Sequence, residues 1–212
     1  MYVPPDAVPA AQIAELIRIH PPAPLVTNGS AVPHTTNLPV VPCEDTLGEP
    51  VGSTLLGHVN RANPHWGAAE AGTPAKIVSP GPGAYISPGN YQADPSAPTW
   101  DFVTAHISGT LSRLPAGDTT PALVTSTATL LEQELGDHRD PSGSHDHFRS
   151  IVHDAGAFEF RIEAAGSMFE LSREKSPAIQ RRLIDRFCAH EPGPPRAGLA
   201  DHMRGFGLGG QQ

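Results

Sequence analysis

Two stretches of the chain alternate regularly between apolar and polar side chains. Residues 103–111 place an apolar residue or glycine at every second position, and Phe158, Phe160 and Ile162 alternate with charged residues. Successive side chains of a β-strand point to opposite faces, so both stretches are predicted to be strands with one buried face. Shorter strands are predicted at residues 23–27, 38–41, 52–59, 75–78 and 84–87. The Asn28-Gly29 turn predicts that the first two of these form a hairpin.

Helical spacing occurs in four other places. Ile13, Leu16 and Ile17 share one helical face that ends at Pro21, and Ser176-Pro177 is typical of a helix start. Further helices are predicted from Asp118 to Gly136 and around residues 148–152. Short strands interrupted by helices, without a repeated strand–helix–strand order, predict an α+β barrel. The Pro- and Gly-rich end predicts a mobile tail at residues 191–212, after one domain at residues 1–190.

The composition narrows the classes of function. The chain has 212 residues and a net charge of −8, which disfavours a nucleic-acid partner because such binding depends on Lys and Arg. With 38% hydrophobic residues it can bury a core, and 24 prolines and 21 glycines indicate many turns. No run of about 18 apolar residues and no leader peptide is found, so no membrane role and a cytoplasmic location are expected.

Candidate chemistry lies in four short segments. Residues 57–66 hold two histidines, an arginine and a tryptophan, and residues 81–88 hold glycines and prolines that can bring backbone close to a ligand. The other two are residues 97–102, before the strongest predicted strand, and residues 168–175, before a predicted helix. These segments contain more specific polar and aromatic residues than packing alone requires.

The motifs HTTNLPV, GHVNRANPHW, GPGAYISP, APTWDF and ELSREK occur in this order. Their order resembles the PaiB-type family, usually described as FMN-binding negative transcriptional regulators, from Met1 to about Phe187. The resemblance implies a split β-barrel with peripheral helices that forms a homodimer. It also implies a flat cofactor in the groove between the subunits.

Departures from the usual family pattern change the implied function. Asn60 and His65 stand where the pattern has Ala and Gln, and Asp101 stands where it has Asn. The chain therefore looks closer to the heme-dependent piperazate synthase branch. This resemblance implies heme b and an amino-acid substrate, N5-hydroxy-L-ornithine, which closes to L-piperazic acid through an N–N bond. The alternatives are an FMN-binding PaiB-like regulator and a heme-binding protein without catalysis.

The resemblance also suggests the site residues. His65 is expected to be the axial ligand of the heme iron, with His58 as the alternative ligand or a supporting residue. A surface or hydrogen-bonded structural histidine would also explain His65. Arg61 suits a heme propionate or the substrate carboxylate, although an exposed salt bridge would also explain it. Asn63 could contact the cofactor or simply cap a turn. Tyr91 is expected to act in catalysis together with His65 and Arg61. Tyr85, Ser87 and Trp100 are expected to bind the cofactor. Core packing would also explain the aromatic residues Tyr85, Tyr91 and Trp100.

Overall fold

The structure of the protein is a computed structural model that describes residues 8–43, 48–70, 72–92, 95–188 and 197–210. Within these residues the chain forms two compact units. The first unit comprises residues 9–79 and 105–166, and the second comprises Val8, 80–104 and 167–210. The single domain at residues 1–190 stays a prediction.

Six antiparallel strands form a closed barrel in the order β1-β2-β3-β6-β5-β4. The strands are β1 Pro22–Thr27, β2 His34–Pro42, β3 Thr54–Asn60, β4 Thr73–Ile86, β5 Thr99–Arg113 and β6 Ala155–Glu170. The helices are α1 Ala10–Ile19, α2 Pro64–Ala68, α3 Thr119–Glu134, α4 His145–Ile151, α5 Pro177–Cys188 and α6 Ala197–Gly205. The α+β barrel inferred from the sequence is thus confirmed.

The register of the barrel is set by alternating burial along its strands. β1 pairs with β2 so that Leu25 lies opposite Thr36, and β3 pairs with β6 so that Gly57 lies opposite Phe158. Phe158 and Phe160 are among the largest fully buried side chains. A Cβ atom on Gly57 would lie 2.5 Å from the Phe158 ring, so only glycine lets this ring pack against β3. The predicted hairpin and the alternation in β6 are both confirmed.

β4 departs from the prediction of two short strands. It runs without interruption through Pro80, Gly81, Pro82 and Gly83, from the first unit into the second. The fixed φ of proline lies within the β region, so a proline can remain in an extended strand when its missing N–H is not needed. The prediction that Pro80 and Pro82 separate two strands was therefore wrong.

The predicted helices are found, with differences at their ends. Asp118 precedes α3, but its side chain makes no capping hydrogen bond. In α5, which begins at Pro177 as predicted, Leu183 and Phe187 are buried, and Gln180 is buried as well. Among the described residues no helix is long and apolar enough to cross a membrane.

Part of the predicted mobile tail is a packed helix. α6 lies against α5, and Leu199, Ala200 and Met203 are fully buried. Leu199 and Met203 are four residues apart and therefore share one helical face. The sequence around this short pattern is rich in glycine and proline, which is why a mobile tail was predicted instead of a helix. Residues 189–196 and 211–212 of the predicted tail lie outside the described residues.

Candidate functional site

A short helix that the sequence did not predict positions His65. Pro64 occupies the first turn of α2, and the side-chain Oδ1 of Asn63 accepts a hydrogen bond of 2.9 Å from the His65 backbone N–H. A side-chain oxygen at the N-cap satisfies one of the free N–H groups of the first turn. The Asn-Pro pair thus starts α2, and the capping alternative for Asn63 is what the structure shows.

Four polar side chains of the first unit form what we call the His65 cluster: His34, Thr36, Asn63 and His65. The Thr36 Oγ1 atom lies 2.7 Å from His65 Nδ1 and 3.1 Å from Asn63 Nδ2. The His34 ring packs edge-on, with its centroid 5.8 Å from that of His65. His65 is only 1% exposed, and its Nε2 is buried without a hydrogen-bond partner among the described residues.

The orientation of the Thr36 hydroxyl decides which tautomer His65 adopts. If the hydroxyl hydrogen points at Asn63 Oδ1, 3.3 Å away, then Nδ1 carries the imidazole proton and donates it to Thr36. Nε2 then has a free lone pair. The opposite orientation leaves an unpaired Nε2–H group. Only the first tautomer can bind a metal ion through Nε2.

The surroundings of His65 favour the neutral ring. Burial lowers the pKa of His65, because a charged ring loses its hydration, and the nearby His34 lowers the pKa further. The backbone of His34 opposes this effect, although it makes no hydrogen bond of normal geometry to Nε2. A neutral imidazole is the form that ligates iron.

His58, the alternative ligand, lies on β3 opposite Ala157. Its side chain is half-buried, and its Nδ1 is buried without a partner among the described residues. Burial lowers the pKa of His58 as well. Among the described residues, each of the two histidines therefore has one buried ring nitrogen without a hydrogen-bond partner. His65 differs from His58 in that its other ring nitrogen is hydrogen-bonded to Thr36.

Arg61 lies next to Trp66. Its Nε donates a hydrogen bond of 2.9 Å to the Ala155 carbonyl, and its guanidinium carbon lies 5.8 Å from the Trp66 ring centre. The guanidinium of Arg113 lies 4.8 Å from the same ring. A Cβ atom on Gly156 would lie 2.4 Å from the indole, so glycine is required where Trp66 meets β6. Arg61 is exposed and, within the described residues, forms no ion pair, contrary to the salt-bridge alternative.

The second unit contains the expected aromatic residues. Tyr85 and Trp100 are 49% and 56% exposed, with ring centroids 6.2 Å apart. Gly83 allows this arrangement, because a Cβ atom there would lie 2.9 Å from Trp100 Nε1. Ser87 is exposed and precedes the short turn Pro88–Asn90. The two rings are tilted by 51° and form an exposed aromatic surface, which is unlike core packing.

Tyr91 belongs to a different group of the second unit, which we call the Asp101 cluster: Tyr91, Asp101, Ser172 and Lys175. Ser172 Oγ donates a hydrogen bond of 2.8 Å to Asp101 Oδ2, and Lys175 Nζ lies 4.7 Å from the Tyr91 ring centre. Tyr91 is 3% exposed, so the alternative that it is a buried aromatic describes it correctly. Burial raises the pKa of the Asp101 carboxyl to about 6, while the Ser172 hydrogen bond opposes the shift.

The predicted site residues are therefore divided between the two units. His58, Arg61, Asn63 and His65 lie in the first, and Tyr85, Ser87, Tyr91 and Trp100 lie in the second. The sequence reasoning missed Thr36 and His34, although both lie in the HTTNLPV motif, and it assigned no role to Asp101 or Ser172. The motifs that contain these residues were the available signal. A motif does not show that a hydroxyl forms a hydrogen bond with an imidazole or that a carboxyl is buried.

The closed six-stranded barrel and the order of its motifs define a class of protein, the split β-barrels. The chain belongs to the family whose model is described as "Putative FMN-binding domain", which matches residues 1–164. A curated relative is the Protease synthase and sporulation protein PAI 2 of Bacillus subtilis (strain 168). It is 24% identical over 158 residues, which cover 70% of this chain and 71% of the relative. The resemblance to the PaiB-type family is thus confirmed.

Solved structures agree with this fold. The FAD and heme binding protein from Mycobacterium smegmatis has a TM-score of 0.50 at 14% identity, with 75% of this chain and 70% of that chain covered. The conserved hypothetical protein Rv2991 from Mycobacterium tuberculosis has a TM-score of 0.53 at 10% identity, with 80% and 90% covered. At these identities the likeness establishes the split barrel and leaves ligand and reaction to other arguments.

Proposed function

We propose that the protein is a heme-dependent piperazate synthase, which converts N5-hydroxy-L-ornithine to L-piperazic acid. The observation that carries the proposal is His65: Thr36 holds one ring nitrogen at 2.7 Å, and the other is buried without a partner among the described residues. An imidazole oriented by a hydrogen bond through one nitrogen is a common axial ligand of heme iron. The M. smegmatis protein named above, which shares the fold, is an FAD and heme binding protein.

The donor chemistry around His65 fits a heme b ligand, on one condition. The ring is neutral near pH 7 because its pKa is lowered, and the Thr36–Asn63 pair can leave the Nε2 lone pair free. However, Nε2 is buried, so some of the side chains that cover it must move before iron can bind. His58, with an unpaired Nδ1 and a half-buried ring, remains the alternative ligand.

Other side chains would bind the cofactor and substrate. The exposed guanidinium of Arg61 is a planar donor suited to a propionate or to the substrate carboxylate. The exposed Tyr85–Trp100 pair offers aromatic surface for a flat macrocycle, and Ser87 adds an exposed hydroxyl. Asn63 would act through His65, because it starts α2 and bonds Thr36. Tyr91 is proposed as a catalytic side chain through its buried hydroxyl.

The proposed reaction is a dehydration. The α-nitrogen of the substrate bonds to N5, the N5–O bond breaks, and the hydroxyl leaves as water with a proton from the α-amine. When bound, heme iron would supply a Lewis acid that makes this hydroxyl a better leaving group. The protein must keep the α-amine unprotonated and hold both ends of the substrate together. No external oxidant or reductant is needed.

The cofactor is tested first. We expect the full chain to shift the Soret band of added hemin away from that of free hemin, and His65→Gln to lose this shift, because glutamine can still bond Thr36 but cannot ligate iron in the same way. His58→Ala is the matched control and should keep a shifted band, at a position different from that of the wild type. Loss of the shift in His58→Ala and its retention in His65→Gln would exchange the two roles.

The reaction is tested separately on heme-loaded protein. Incubation with N5-hydroxy-L-ornithine should give piperazic acid by mass spectrometry without NADPH or ATP. Ornithine lacks the N–OH group and should remain unchanged. Unchanged hydroxylated substrate, or equal product from free hemin alone, would leave a heme-binding protein without catalysis as the better description.

An FMN-binding PaiB-like protein is the second candidate, favoured by the family match over residues 1–164. This candidate function predicts that FMN binds with quenching of flavin fluorescence and that hemin does not compete.

We also propose a homodimer, since a second subunit could bury the exposed apolar surface of Tyr85 and Trp100. Sedimentation of the cofactor-loaded protein as a monomer would contradict the dimer.

A further inference from the structure

Asp101 is a buried carboxylate without a cation to balance it. It is 2% exposed, and its hydrogen bond within the second unit comes from the neutral hydroxyl of Ser172. In the described part of the chain no Lys or Arg nitrogen lies within 4.0 Å of this carboxylate. A buried carboxylate is normally paired with a cation or strongly hydrogen-bonded, so a positive group is missing here.

The charges around Asp101 do not supply that group. Glu170 and Glu174 are near enough to disfavour its ionised form, whereas Lys175 favours it. Lys175, however, forms an ion pair of 3.1 Å with Glu174, and its ammonium lies over the Tyr91 ring. Among the described residues, Lys175 is the cation that acts on Asp101, and it is shared with another carboxylate.

The Tyr91 hydroxyl is a second unsatisfied group in the same cluster. Tyr91 is 3% exposed, and its Oη has no hydrogen-bond partner of normal geometry among the described residues. Burial raises the Tyr91 pKa, while the hydroxyl is near enough to Ser172 for a hydrogen bond of poor geometry, which lowers this pKa, and the charge of Asp101 raises it. Buried hydroxyls normally have a partner, so this one also indicates a group that binds there.

Ser172 completes the set of acceptors. Its backbone has φ +52°, a left-handed conformation that is unusual for serine, and its side chain is buried. Because Ser172 gives its only hydroxyl hydrogen to Asp101, its remaining lone pairs can accept. Asp101, Tyr91 and Ser172 therefore offer three oxygen acceptors and one negative charge.

We propose that the Asp101 cluster is a binding site for a primary ammonium group of a small molecule. A primary ammonium carries one positive charge and three N–H donors, which match one negative charge and three acceptors. A divalent metal fits less well, since no group of three or more His, Cys, Asp or Glu side chains in the described residues is placed to hold one. The proposal shares Tyr91 with the reaction proposed above, but it does not depend on heme binding or on that reaction.

The site is tested on the full chain with methylammonium and L-ornithine as probes, in phosphate buffer above the Asp101 pKa. NMR titration should show saturable shifts for both probes in the wild type. Asp101→Asn should weaken binding by about tenfold or more, the loss of one charge-assisted hydrogen bond. Asp185→Asn, which removes an exposed carboxylate from α5, is the matched control and should bind as the wild type does.

Two further measurements separate the proposed site from a purely structural cluster. Tetramethylammonium has the charge but no N–H donor, so it should not bind; equal binding would overturn the proposal. Saturating methylammonium should also lower the Asp101 pKa in the wild-type protein. The NMR shift of the carboxyl carbon measures this pKa, and the measurement does not require a variant that folds. Absence of saturable binding, or a pKa unchanged by methylammonium, would show that the cluster serves the fold alone.

Discussion

Asp101→Asn is expected to stabilise the protein at neutral and alkaline pH. The folded-state pKa of Asp101 is raised from 3.8 to about 6, chiefly by burial. Each tenfold change in the acid dissociation constant corresponds to about 1.4 kcal/mol, so the shift costs about 3 kcal/mol when the carboxyl is ionised. Asparagine has nearly the same shape and can still accept the Ser172 hydrogen bond, but it never ionises.

The sign of this effect follows from proton binding. Below pH 3.8 the carboxyl is protonated in both the folded and the unfolded state, so it contributes no pH dependence. Between pH 3.8 and about 6 the unfolded state releases its proton first, and the stability of the wild type falls as the pH rises. Above about pH 6 the cost stays constant.

Urea unfolding across this pH range measures the effect. The free energy of unfolding of Asp101→Asn, minus that of the wild type, should rise by about 3 kcal/mol between low and neutral pH. The exposed Asp185→Asn variant should run parallel to the wild type. Buffers must contain no amine, because an ammonium ligand would stabilise the ionised wild type. A difference that stays constant with pH would refute the assignment of a raised pKa to Asp101.

Three substitutions test other parts of the structure. Gly156→Ala should destabilise the protein by about 1–3 kcal/mol and shift the Trp66 fluorescence, because the new methyl group would overlap the indole; unchanged fluorescence would contradict that contact. Met203→Ala should cost about 2–4 kcal/mol if α6 is packed, and nothing in urea unfolding if it is a mobile tail. Thr36→Val should cost about 2 kcal/mol, since it leaves a buried imidazole nitrogen unpaired, whereas Thr35→Val, at an exposed position, should cost little.

The strands could be predicted from the sequence where one face is buried and the other is exposed to solvent. Phe158, Phe160 and Ile162 revealed β6, because the two-residue period of a strand survives in the sequence. β4 was misread because Pro80 and Pro82 are local signals, whereas the pairing of strands in a barrel is decided by distant residues. α6 was missed for a related reason, since only three apolar residues, Leu199, Ala200 and Met203, form its buried face.

The candidate site was predictable as a set of motifs but not as a set of contacts. Thr36 of the HTTNLPV segment and His65 of the NRANPHW segment are 29 residues apart, and nothing local indicates that Thr36 bonds the ring of His65. The contact arises because β2 and β3 are neighbours in the barrel and α2 follows β3 directly. Strand order is a property of the whole fold, so a hydrogen bond that depends on it cannot be read from either segment alone.

Asp101 shows the same limit for electrostatics. In the sequence it is one acidic residue beside Trp100, and its position on a strand with alternating burial predicts a buried face. Whether a buried carboxyl is tolerated depends on its partner, and that partner, Ser172, comes from a loop seventy-one residues later. The cost of burying the charge can therefore be judged only once β5 and this loop are both placed. This cost, rather than the presence of an acidic residue, supports the proposed cationic ligand.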